Sequence, residues 1–202
     1  LAFADGGEVL PAQQFNPEDV ARTPVPAFLI IASIALFELA AIGMWTYLLR
    51  YGEATGLSSA AASQALSLSS LCGIPGGILV VYLGARRGRF VPIIAALSVF
   101  ITILLAFSVR LVSPLAFIVG TALQNVAWNF VFPYLQGVQS ALDRSGRLAV
   151  WGMLCASLGG ALGPALLGAT VNAESYRSAF LLAAAILGGS LILAVWPTLL
   201  TD

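Results

Sequence analysis

Six apolar runs of membrane-crossing length, joined by short polar segments, constrain this chain more than any motif in it. A spanning helix needs about 20 mostly apolar residues. The runs cover residues 26–49, 59–83, 90–109, 114–138, 148–171 and 178–196. Strands of a membrane barrel would be about 10 residues long and would alternate apolar with polar positions. These runs are longer and do not alternate. The chain is therefore predicted to be an all-α membrane protein with six transmembrane helices over residues 26–198. Residues 1–25 are acidic, broken by Pro11, Pro17 and Pro24, and carry no signal-peptide pattern, so they are expected to be a linker within a longer polypeptide. Short connections make consecutive helices antiparallel neighbours.

Composition supports lipid as the solvent. Of the 202 residues, 59% are hydrophobic and 9% charged, against about 25% charged in an ordinary soluble domain. So few charges cannot clothe a soluble fold of this size, whereas a bilayer solvates apolar side chains. All nine cations are arginine, and histidine is absent. Histidine catalysis, histidine metal ligation and histidine proton relays are excluded. No set of nucleophile, base and ligands lies at one depth, so neither an enzyme, a metal site nor a cofactor is expected. Zero net charge argues against nucleic acid. Cys72 and Cys155 lie in apolar runs and read as small contact residues.

The arginines set an orientation. With six crossings both termini share a side, which receives Arg22, Arg86, Arg87, Arg89, Arg144 and Arg147, while Arg50, Arg110 and Arg177 fall opposite. Positive charge marks the cytoplasm, so both termini are expected there.

Polarity separates the runs into classes. The first carries Glu38 near its centre, and the fourth carries Gln124, Asn125, Trp128, Asn129 and Gln136. Both are expected to line a wet path. The second and fifth are rich in small residues, including Gly76 and Gly77, then Gly159, Gly163 and Pro164, and are expected to be packing surfaces. Bends are expected near Pro75, Pro133 and Pro164. The third and sixth are almost purely apolar and are expected to face lipid. The order lining, packing, outer then repeats, as two three-helix repeats would give.

Glu38 is the foremost functional candidate, because a carboxylate at mid-membrane costs a few kcal/mol or more and is rarely kept idle. It could carry a proton or meet a cationic solute. Trp45, seven residues on, shares its helical face. In the fourth run Thr121, Asn125, Asn129, Phe132 and Gln136 follow steps of three and four and form one stripe, flanked by Gln124 and Trp128. Amides offer donors and acceptors, which suits contact with a small polar solute.

The loop after the second run reads Gly84-Ala85-Arg86-Arg87-Gly88-Arg89-Phe90. This resembles the cytoplasmic motif G-x-x-x-D-R-x-G-R-R of the major facilitator superfamily. Arg86, Gly88 and Arg89 match it, while Ala85 replaces the aspartate and Phe90 the last basic residue. Asp143-Arg144-Ser145-Gly146-Arg147 resembles that family's D-x-x-G-R turn, and Leu158 to Pro164 resembles its glycine-rich eleventh helix. The resemblance implies that the six runs are the C-terminal six-helix half of a secondary active transporter. The fold would be half of a major facilitator fold, in a bacterial inner (plasma) membrane. It implies alternating access for a small solute and an N-terminal six-helix half as partner. It further implies a cytoplasmic gate involving Arg86, Gly88, Arg89, Asp143 and Arg147, with Asp143 a counter-charge for the loop arginines, and proton coupling through Glu38. A non-transporting scaffold or a channel-like bundle is the alternative.

Overall fold

The computed structural model describes residues 24–84, 88–109, 112–143, 145–171 and 175–202. They form α1 (Pro24–Trp45), α2 (Leu48–Ala54), α3 (Ser59–Leu71), α4 (Gly73–Leu83), α5 (Phe90–Val109), α6 (Pro114–Leu142), α7 (Arg147–Gly168) and α8 (Arg177–Thr201), with no strand among the described residues. Six stretches are long and apolar enough to cross a membrane, α3 and α4 together making one of them. The expected linker lies almost wholly outside the described residues.

The helix starts follow from local chemistry. Ser58 caps α3 by accepting from the Ala61 amide at 3.2 Å, and Ser113 caps α6 by accepting from Ala116 at 3.3 Å. Two other starts use carboxylates. Asp143 Oδ2 accepts from the Leu148 amide and its Oδ1 from Ser145, both at 2.8 Å, at the head of α7. Asp202, just past α8, accepts from the Arg89 and Phe90 amides at 2.7 and 2.8 Å and so closes the head of α5. Negative charge is favoured at a helix start.

Packing is pairwise and specific. The most extensive interface joins α1 to α7, followed by that of α1 with α8. At the first, a side chain on Gly159 would collide with the Ala35 carbonyl, and one on Gly163 with the Leu39 carbonyl, so the helices touch backbone to backbone. At the second, Ser33 and Ser190 exchange hydroxyl-to-carbonyl bonds of 2.8 Å in each direction. Both α3 and α4 lie on α6, and α5 fits between α6 and α8. Near the C-terminal end of α1, Tyr51, Phe107, Phe117, Tyr176 and Phe180 form an aromatic cluster, with the Tyr51 hydroxyl donating to the Phe107 carbonyl at 3.1 Å.

Several expectations need correction. The first run ends as a helix at Trp45 rather than Leu49. The stretch expected as a loop contains α2, whose Tyr51 is drawn into the aromatic cluster. The second run is interrupted at Cys72, where Pro75 lacks the amide that would have bonded the Leu71 carbonyl. The helices α6 and α7 are continuous through Pro133 and Pro164, each of which leaves one backbone carbonyl without its amide. Gly77 meets nothing within 4 Å, whereas a side chain on its neighbour Gly76 would strike the Val126 carbonyl of α6. Of this pair only Gly76 is therefore a packing glycine. The third and sixth runs are not simply outer helices. The best apolar windows of α5 and α8 are each 39% buried, against 17% for the second span and 28% for α7. A helix apolar on every side gives no sequence signal of which face is covered.

Candidate functional site

A cleft of about 230 Å³ opens among α1, α3, α5 and α6, lined by Ala41, Ile42, Trp45, Ser70, Phe100, Gln124, Asn125, Trp128 and Asn129. Ser70, Phe100 and the four α6 residues come from near the middles of their spans, whereas Ala41, Ile42 and Trp45 come from the last part of α1, so the cleft reaches from mid-depth toward that end of α1. At about 30 Å³ per water in the liquid, it has room for roughly seven or eight waters.

The α6 wall is built by local hydrogen bonds. Asn125 Nδ2 donates to the Thr121 carbonyl at 3.1 Å and to Ser69 Oγ at 3.3 Å, and Asn129 Nδ2 donates to the Asn125 carbonyl at 3.0 Å. These bonds hold both amides along one side of α6. Gly73, first residue of α4, sits against the Asn129 amide, so a side chain there would have to displace that amide. The broken span thus meets the polar stripe at its joint.

Glu38 lies one turn before Ala41 and Ile42 and is 6% exposed. Its Oε1 has no hydrogen-bond partner, and neither have Gln124 Oε1 and Trp128 Nε1. The Trp128 indole is the polar neighbour of the Glu38 carboxyl, but the approach falls short of hydrogen-bond geometry. The Trp128 ring stacks on Phe132 with centroids 5.3 Å apart, Phe132 stacks on Phe37 at 6.3 Å, and Phe37 meets Phe100 edge-on at 6.0 Å. Aromatic rings therefore run from the cleft wall past the residue preceding Glu38. Among the described residues Glu38 is the only acidic or basic side chain inside a span, Arg147 and Arg177 standing at the first positions of theirs. An unsatisfied buried polar group costs about 1–3 kcal/mol, and three such groups adjoin this one cleft.

The structure brings Trp45, Gln124, Asn125, Trp128 and Asn129 into one lining, with Glu38 against Trp128. Two members of the expected stripe stand apart. Thr121 is fully buried and donates to the carbonyls of its own helix, at Phe117 and Ile118. Gln136 lies away from the cleft and donates to the Met153 sulfur at 3.2 Å. Helical spacing puts residues on one face but does not say where along that face a cavity ends. Four lining residues went unread in the sequence: Ala41, Ile42, Ser70 and Phe100. The first two could have been found as the three- and four-residue neighbours of Glu38. Phe100 carried no signal, since its run is apolar throughout.

The expected gate is only partly described, because Arg86 lies outside the described residues. Among the described residues the Asp143 oxygens accept from the Ser145 and Leu148 amides at the head of α7. Burial pushes the Asp143 carboxyl up, but hydrogen bonds from the Ser145 hydroxyl and the amides of Leu148, Ser145 and Arg147 outweigh it and hold the pKa below the ordinary value. Arg89 turns to the Thr201 carbonyl, at 2.9 Å, beside Asp202. Gly88 adopts φ +76° next to the Asp202 carboxylate, a conformation and closeness that suit glycine. Arg147 is exposed. The sequence matches no protein-family model and no curated protein.

Proposed function

We propose that this chain is the C-terminal half of a secondary active transporter of the major facilitator type. It moves a small solute by alternating access, with Glu38 as the proton-coupling group. The observation that carries the reading is the convergence of three unpartnered buried groups, on Glu38, Gln124 and Trp128, beside one mid-depth cleft. A helix bundle serving only as a scaffold gains nothing from leaving these groups unsatisfied, whereas a solute or a proton can satisfy them in turn.

Two features of the packing support the wider assignment. The first span packs on the fifth and sixth, and the fourth span packs on the second and third. Exchanging the two halves of the chain maps these contacts onto one another, as two three-helix repeats would. The second and fifth spans are the least covered within the chain, which suits helices that meet another six-helix half. Bacterial inner membrane and cytoplasmic termini follow from this reading together with the arginine distribution.

The test is solute uptake into proteoliposomes holding the protein with its N-terminal half, driven by a pH gradient. We expect gradient-driven uptake by the parent and loss of the pH dependence in Glu38→Gln. Uptake that responds equally to the gradient in parent and variant would remove Glu38 from coupling. A passive, non-saturating leak would favour a channel-like bundle.

A further inference from the structure

We infer that the mid-depth cleft selects a small organic cation, an amine or quaternary ammonium group carried on a compact aromatic or branched apolar body. The inference rests on the reading of the cleft as a solute site and names the solute class. Its first ground is the buried carboxyl. The described basic residues, Arg50, Arg89, Arg147 and Arg177, all stand at span ends or in connections, so none can neutralise Glu38 at mid-depth. Among the described residues its complement is therefore a proton or a positive group brought by the solute, with Glu38 set behind its neighbour Trp128 in the cleft wall, and an anion in the same space would meet no compensating cation there.

The second ground is the lining. Asn125, which lines the cleft, has both amide hydrogens engaged, one with the Thr121 carbonyl and one with Ser69, so only its oxygen remains to meet a solute, as an acceptor. Ser70 donates its hydroxyl hydrogen to the Leu66 carbonyl at 3.0 Å and likewise keeps only lone pairs. Acceptors so placed receive N–H groups. The third ground is aromatic: Trp45, Trp128 and Phe100 line the same space, and tryptophan faces attract ammonium groups by their quadrupole. A volume of about 230 Å³ is smaller than the clefts that take drug-sized molecules, roughly 300–1,000 Å³, which sets the compact body.

The decisive experiment measures equilibrium binding to the protein in lipid nanodiscs by quenching of tryptophan fluorescence. Three probes share one phenyl body: phenethylamine, 2-phenylethanol and phenylacetate. Phenethylamine should bind at least about tenfold more tightly than either of the others, Glu38→Gln should erase that advantage, and Glu38→Asp should keep it within about threefold. Equal binding of the alcohol, or tighter binding of the carboxylate, overturns the inference, as does an undiminished preference in a folded Glu38→Gln protein. If Glu38→Gln fails to fold, the ranking of the three probes on the parent and on Glu38→Asp decides. The two readings fail separately. Amine preference without gradient-driven uptake sinks the transporter and leaves the cation site, while coupled uptake with indifferent binding does the reverse.

Discussion

At the scale of single residues, the side chains without partners separate stability from activity. Gln124 is 3% exposed with its Oε1 unsatisfied, so Gln124→Leu removes an unpaired polar group from a place that welcomes an apolar one. Its thermal midpoint should be unchanged or higher, while solute uptake falls by about tenfold or more. A fall of the midpoint with uptake intact would make Gln124 a structural residue. Asp143 behaves in the opposite sense. Because its folded pKa is lowered, the stability it contributes is present above the unfolded value and is lost as pH falls through the folded one. Asp143→Asn should cost about 1 kcal/mol at neutral pH, and parent and variant should converge as the pH drops below about 4. Thermal melts of both proteins across pH check this. Much of the cleft was legible in the sequence, because polar residues inside an apolar run declare themselves: Glu38, Gln124, Asn125, Trp128 and Asn129 needed no structure to be noticed. What stayed hidden was apolar lining such as Phe100, and the fact that Thr121 and Gln136 satisfy themselves elsewhere.

At the scale of helices, hydropathy located six spans and placed most of their ends within a few residues. Length is set by bilayer thickness, so it is written plainly in the sequence. Turns and interruptions are not, since they depend on tertiary partners. The helix α2 exists where Tyr51 reaches an aromatic cluster built by three other helices, and the break at Cys72 falls where α6 presents the Asn129 amide to Gly73. The interruption falls close to the bend expected at Pro75, while Pro133 and Pro164 lie within continuous helices. The close approaches give a sharp contrast within one turn. Gly76→Val should destabilise the bundle by about 1–3 kcal/mol by driving α4 off the Val126 carbonyl, whereas Gly77→Val should leave the melting midpoint of this six-helix unit unchanged. Equal losses at the two positions would reveal a second packing surface on α4.

At the scale of the whole molecule, the uneven covering of the spans makes a prediction about neighbours. Leu158 on α7 and Ile78 on α4 are 53% and 62% exposed in this chain, as open as Val99 on α5 and Ile192 on α8 at 45% and 72%. In a protein lacking Cys72 and Cys155, single cysteines at Val99 and Ile192 should react with a bilayer-soluble thiol reagent. If the proposed N-terminal half packs on α4 and α7, cysteines at Leu158 and Ile78 should react only in its absence. Equal reactivity at all four sites with that half present would leave α4 and α7 in lipid. The interruption at Cys72 also bears on how such a bundle flexes. Pro133 and Pro164 each remove one backbone bond from helices that stay continuous, whereas the second span is interrupted outright at Cys72. That interruption lies beside Ser70 of the cleft lining, so any flexing of the second span would centre at the height of the cleft. On the proposed transport reading, a joint at that height would let either end widen while the solute stays where it is.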